Sequence, residues 1–154
     1  MENNGQRTYN GKIMTRPELV LAALASGESY RYTPVQVQKL LFLIDRQIPA
    51  LVDGPYFNFE PYHYGPFDRA VYEELEHLAR LGFANIDKAD SLRAYTLTPE
   101  GIAKGKDVLE MVPAQAHDFI VRVCTFVRAQ TFSSLVSAIY KAFPDMRVNS
   151  VFQH

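Results

Sequence analysis

Between Phe57 and Gly101 the chain reads FNFEPYHYGPFDRAVYEELEHLARLGFANIDKADSLRAYTLTPEG, and few folds accommodate that succession of signals. Phe57 and Phe59 alternate with Asn58 and Glu60, the period of a half-buried strand. Pro61 pushes that strand to an edge or ends it. Tyr64-Gly65-Pro66 is expected as a turn, glycine supplying the backbone angle of the reversal. Val71, Leu75 and Leu78 then mark one face of a helix that Leu81 completes and Gly82 stops. On its surface Arg69 with Glu73, and Glu76 with Arg80, stand at i,i+4, a spacing worth about 0.3 kcal/mol per pair. Phe83 to Ile86 and Arg93 to Leu97 form a hairpin across the polar loop Asp87 to Leu92, and Thr98-Pro99-Glu100 opens another helix.

Strand, turn, helix, two-stranded wing and renewed helix are the order of a winged helix-turn-helix. The fold class expected is therefore mainly α with a small antiparallel β wing and extra C-terminal helices. Upstream, Pro17 and Glu18 suit the first turn of a buried apolar helix over Leu19 to Ala25, with Gly27 as its stop. Thr33-Pro34-Val35-Gln36 combines a cap, a first-turn proline and a capping-box glutamine. Val37, Leu40, Leu41, Ile44, Ile48 and Leu51 form the inner face of that helix, which leaves Lys39, Asp45 and Arg46 on the solvent side. Pro49 kinks or ends it, and Asp53-Gly54-Pro55 terminates it.

Downstream, the helix begun at Thr98 runs toward Met111 and breaks at Pro113. Ala116, Phe119, Ile120, Val123 and Val127 make the next stripe. Thr131 caps a last helix carrying Phe132, Leu135, Val136, Ile139, Tyr140 and Phe143, and Val148 to Phe152 trails off extended. The organisation expected is one domain: residues 1–12 as a loose tail, 13–112 as the winged core, and 113–154 as a helical extension packed on it.

At 47% apolar and 21% charged residues, the chain can bury a substantial core. A formal net charge of −1 provides no global field for nucleic acid or anionic membrane. The one cysteine, Cys124, forms no internal disulfide and no multi-cysteine metal site, and it suits a reducing compartment. The polar stretch Met1 to Lys12 lacks a signal-peptide core, and no apolar run spans a bilayer. A cytoplasmic protein is expected.

Leu78-Ala79-Arg80-Leu81-Gly82-Phe83 with Tyr95-Thr96-Leu97-Thr98-Pro99-Glu100-Gly101 resembles the helix exit and wing-closing strand of winged helices of the MarR and PadR kind. Adding Lys39-Leu40-Leu41-Phe42-Leu43, Phe57-x-Phe59, Tyr64-Gly65-Pro66-Phe67 and Val71-Tyr72 narrows the likeness. Over roughly Tyr30 to Phe143 the chain resembles the Panacea (SocA-like) domain and its bacterial relatives, some of them found near phage-defence genes. That resemblance implies a non-enzymatic role as an antitoxin, as its chaperone-like part, or as an adaptor that delivers a toxin to a protease. Phe143-Pro144-Asp145-Met146 departs from the family pattern in having no tryptophan after the proline, and no toxin-neutralising extension is evident. The identity of a partner is not carried over.

Two kinds of surface compete. A winged helix invites DNA binding, with the helix from Asp68 to Leu81 in the major groove. That helix carries Asp68, Glu73, Glu74 and Glu76 against only Arg69 and Arg80, and the wing sets Lys88 and Arg93 against Asp87 and Asp90. Phosphate neutralisation supplies most non-specific affinity, so an acidic reading head is a poor design. Arg69, Arg80, Lys88, Arg93, Lys104 and Lys106 are the residues such a mode would use, with Arg122 and Arg128 in a rotated variant.

The alternative is a protein interface. Aromatic residues cluster from Tyr56 to Tyr72, as core and turn scaffold or as contact residues. Tyr62, His63, Tyr64 and Phe67, joined by Glu73 and Glu76, are the expected partner-binding residues. The terminal helices either support the core or offer a homodimer face.

Catalysis has little in the sequence to carry it. The four histidines lie far apart with no metal-ligand spacing, and no glycine-rich loop is present to hold a phosphate. His63 near Glu60 and Asp68 is the sole acid–base grouping, His77 with Glu73 reads as a solvated pair, and Cys124 reads as a buried structural thiol. No enzyme activity, metal or cofactor is expected.

Overall fold

The computed structural model describes residues 14–88 and 92–152. The proposed tail 1–12, Asp90 and His154 lie outside them. Among the described residues are seven α-helices and two antiparallel hairpins, so the protein is mainly α with a small β wing. The helices are α1 (Arg16–Ala25), α2 (Pro34–Gln47), the single turn α3 (Pro49–Val52), α4 (Arg69–Arg80), α5 (Pro99–Met111), α6 (Ala114–Ala129) and α7 (Phe132–Ala142). The strands are β1 (Glu60–Tyr62) paired with β2 (Gly65–Phe67), and β3 (Ala84–Asp87) paired with β4 (Ala94–Leu97).

Helix starts follow local chemistry. Thr15, Thr33 and Thr131 each close a capping box, with Glu18, Gln36 and Ser134 reaching back to the cap. Asp68 and Thr98 cap α4 and α5. Gly82 leaves α4 at φ +86°, the left-handed exit expected of it.

Helix α1 is buried almost all round. It packs most closely on α5, because Gly105 has no Cβ: one placed there would lie 2.4 Å from the Leu21 carbonyl oxygen. Helix α6 threads Ile120, Cys124 and Val127 into the same core, where the Tyr32 hydroxyl donates to the Leu24 carbonyl at 2.8 Å and lies 3.2 Å from Cys124 Sγ. Tyr32 and Tyr95 exchange both backbone hydrogen bonds, at 2.8 and 2.9 Å, so the segment between α1 and α2 joins the wing as a one-residue third strand.

Several sequence expectations are corrected. Lys39 and Asp45 are not on the solvent side of α2: they are only 3% and 6% exposed, while Arg46 is exposed as expected. The cause is that α2 is covered on both sides, by α6 and by the β1–β2 hairpin. Phe57 to Phe59 is not a strand. The Asp45 carboxylate accepts the Tyr56 and Phe57 N–H groups at 2.8–3.0 Å, which takes those donors out of any ladder, and pairing begins only at Glu60.

The turn falls at His63 and Tyr64, and Gly65-Pro66-Phe67 is the returning strand, with Gly65 at φ +104°. Leu81 does not complete the inner face of α4 but is 55% exposed. The i,i+4 pairs are not formed among the described residues: Glu76 turns to Arg93 at 3.5 Å, and His77 to Glu74 at 2.6 Å. Phe119 and Val123 are only partly buried, and Cys124 takes the place in the α6 stripe. Phe132, expected inside, is exposed. Val148 to Phe152 is not extended throughout: after a 3-10 turn at Pro144–Arg147, Val148 and Asn149 continue the turn, and Val151 N–H then donates to the His63 carbonyl at 2.9 Å.

Candidate functional site

The concave face of the molecule lies where α2 begins. Pro34 and Val35 of α2 form its floor. The β1–β2 hairpin stands on one side, α4 with the wing on another, and the start of α7 on a third. Two open depressions meet there, of about 490 and 660 Å3, and a smaller cavity of about 180 Å3 runs beneath the hairpin.

The more apolar of the two, the one of about 490 Å3, is walled by Tyr64, Leu92, Phe132 and Leu135. Tyr64 and Phe132 meet edge-to-face with ring centroids 5.2 Å apart, although both are more than 40% exposed. Two large rings held in one geometry at the surface, the phenol of Tyr64 and the apolar ring of Phe132, bear the features of interface anchors. From there an aromatic row continues through Tyr62, Phe67, Tyr72 and Tyr95 at centroid spacings of 5.1, 5.7 and 6.0 Å. His63 stacks on Tyr62 at 4.2 Å. Its ring makes no hydrogen bond to Glu60 or Asp68 among the described residues. The Asp68 carboxylate is occupied by the Asn58 and Ala70 N–H groups at 2.7 and 2.9 Å.

The second depression brings Glu73 and Glu76 to the same wall as Arg69 and Arg93. The residues expected to meet a protein and some of those expected to meet nucleic acid thus share one face, where Arg93 is matched by Glu76 at 3.5 Å. Arg80 and Lys88 are exposed beyond it, on the end of α4 and on the wing. Lys104 and Lys106 lie elsewhere, on α5, paired with Glu18 at 3.7 Å and Glu28 at 2.5 Å. Arg128 lies over the Tyr30 ring and Arg122 over Phe119. The basic residues do not converge on one continuous phosphate-tracking stripe.

Helices α2 and α4 do not form a simple helix-turn-helix. About 20 residues separate α2 from α4, where a simple helix-turn-helix uses three or four. The insert places the hairpin beside the N-terminal end of α4, the end that reads bases in the usual docking.

Under the hairpin lies the residue that sequence reasoning missed. Lys39 Nζ donates to the Pro66 carbonyl at 3.2 Å and has no ion pair among the described residues. Burial pushes its amine down to about 7. Burial likewise raises the Tyr72 and Tyr95 hydroxyls, so neither ionises near neutrality. A signal for Lys39 was present: Val35, Phe42 and Leu43 lie on its side of α2, opposite Val37, Leu41 and Ile44, and a helix apolar on both faces is a covered one. Phe132 and Leu135 were missed as wall residues because they come from a helix remote in sequence.

The chain matches no known protein-family description, and no curated protein is significantly similar to it. No helix among the described residues is long and apolar enough to cross a membrane. No group of three metal-ligating side chains occurs among them.

Proposed function

We propose that the protein is a non-enzymatic interaction module of winged-helix type, acting by binding a partner protein in the manner of an antitoxin or phage-defence adaptor. The observation that carries this reading is the concave face itself. Exposed, mutually packed aromatic rings (Tyr64 and Phe132) adjoin a flank of mixed charge, Glu73 and Glu76 beside Arg69 and Arg93, at the place where a DNA reader would present an excess of base-contacting and phosphate-contacting groups. Apolar anchors surrounded by polar groups are the anatomy of a protein interface. The exposed carboxylate of Glu73, with Glu76 already matched by Arg93, favours a partner segment that sets a lysine or arginine beside an apolar side chain. The likeness to Panacea domains in Lys39-Leu40-Leu41-Phe42-Leu43 and Tyr64-Gly65-Pro66-Phe67 supports the class of role and leaves the partner unnamed.

The test is affinity capture from the native host, comparing wild type with Tyr64→Ala and with the double variant Glu73→Lys/Glu76→Lys. Each variant is expected to lose the same captured protein at least about tenfold, as removal of a hot-spot side chain does. Unchanged recovery with both variants contradicts the surface. Retention of genomic duplex by wild type at about 50 mM salt would favour a transcription regulator instead.

A further inference from the structure

We propose that the cavity beneath the β1–β2 hairpin is a binding site for a small carboxylic acid with an apolar or aromatic tail, Lys39 acting as its counter-ion. The inference is independent of the partner-protein reading.

Lysine is rarely buried without an anion beside it. Here the amine is enclosed and has one described partner, a neutral carbonyl, although an ammonium offers three donors. The carboxylates on adjoining segments are already satisfied. Asp45, on the same helix, holds the Tyr56 and Phe57 N–H groups, and Asp68, at the start of α4, holds those of Asn58 and Ala70. The other titratable groups around the amine are hydroxyls: Tyr62 and Tyr64 from the hairpin, Tyr72 from α4, and Tyr140 from α7. Among the described residues no carboxylate is paired with Lys39.

The space beside it suits a ligand. The cavity holds about 180 Å3, and Gln38 and Gly65 line it together with Tyr62, Phe67 and Tyr72. The amine lies against Gly65 at the edge of this space: a Cβ there would stand in ordinary contact, 3.4–3.5 Å from Lys39 Cε and Nζ. Aromatic walls supply the apolar contact, and the amine supplies the charge. Because burial holds the empty-site amine near 7, an arriving carboxylate is accompanied by a proton.

Benzoate, hexanoate and the neutral isostere benzamide, titrated calorimetrically into the whole chain at pH 8 in two buffers of different ionisation enthalpy, test the proposal. The acids are expected to bind with a dissociation constant of about 1 mM or tighter, and benzamide at least about tenfold more weakly. Binding of the acids should take up roughly 0.5–1 proton. Lys39→Met should reduce acid binding at least tenfold. The proposal is overturned if neither acid binds wild type, if benzamide binds as well as benzoate, or if binding takes up no proton. The last two readouts use wild type alone, so they decide the matter even if the variant fails to fold.

Discussion

Lys39→Met should be more stable than wild type at pH 7, by about 2–3 kcal/mol, in equilibrium urea unfolding. The wild-type amine is 3% exposed and titrates near 7, against 10.5 for a free lysine. A folded value below the unfolded one means that the unfolded chain holds more protons between those limits. Wild-type stability therefore climbs as pH rises through that window. From pH 7 to pH 9 the climb should be about 2 kcal/mol, and the advantage of the methionine should shrink by the same amount. Methionine follows the lysine stem in length and brings no charge, so it offsets the lost Pro66 hydrogen bond by removing the cost of a buried amine. A difference between the two proteins that does not vary with pH would show that Lys39 is solvated rather than covered.

The second large effect is expected at the contact of α1 with α5. Gly105→Ala places a Cβ 2.4 Å from the Leu21 carbonyl oxygen and 2.6 Å from Ala25 Cβ. The first of these is backbone in the middle of a buried helix, so no side-chain rotation relieves the clash. The helices must separate, at a cost of about 3 kcal/mol, outweighing the usual gain of alanine over glycine in a helix, about 1 kcal/mol. For a chain of this size the net loss of about 2 kcal/mol lowers the melting temperature by roughly 4–8 °C. A rise in melting temperature on Gly105→Ala would mean that the two helices are not in close contact.

What the sequence discloses is what local chemistry decides. Thr33 with Gln36, Thr98 with Pro99 and Gly82 after α4 each fix a helix end through atoms a few residues apart, and those boundaries are found where the residues imply them. Features decided by remote segments are not legible in that way. Lys39 and Asp45 look like solvent-side charges until the hairpin and the 54–59 segment fold over them. Phe57 and Phe59 alternate like a strand, but Asp45, more than ten residues earlier, takes the donors that a strand would use. The Tyr32–Tyr95 bridge has no periodicity to announce it, because it is one residue long.

The concave face was half legible for the same reason. Tyr62, Tyr64, Phe67, Glu73 and Glu76 stand close together in the chain and were read as a group, whereas Val35, Phe132 and Leu135 arrive from elsewhere. The charge of α4 was legible, since its carboxylates are counted from the sequence. The structure adds that Glu76 stands against Arg93, at the rim of the same depression.

A photo-reactive benzophenone side chain at position 92 tests the proposed role most directly, because Leu92 is 72% exposed and lines both depressions of the concave face. Irradiation in the native host should join the protein to one discrete partner, and Tyr64→Ala should abolish that adduct. The account is contradicted if no protein adduct forms while the purified chain binds duplex DNA tightly at low salt and loses it on substitution of Arg69 and Arg93.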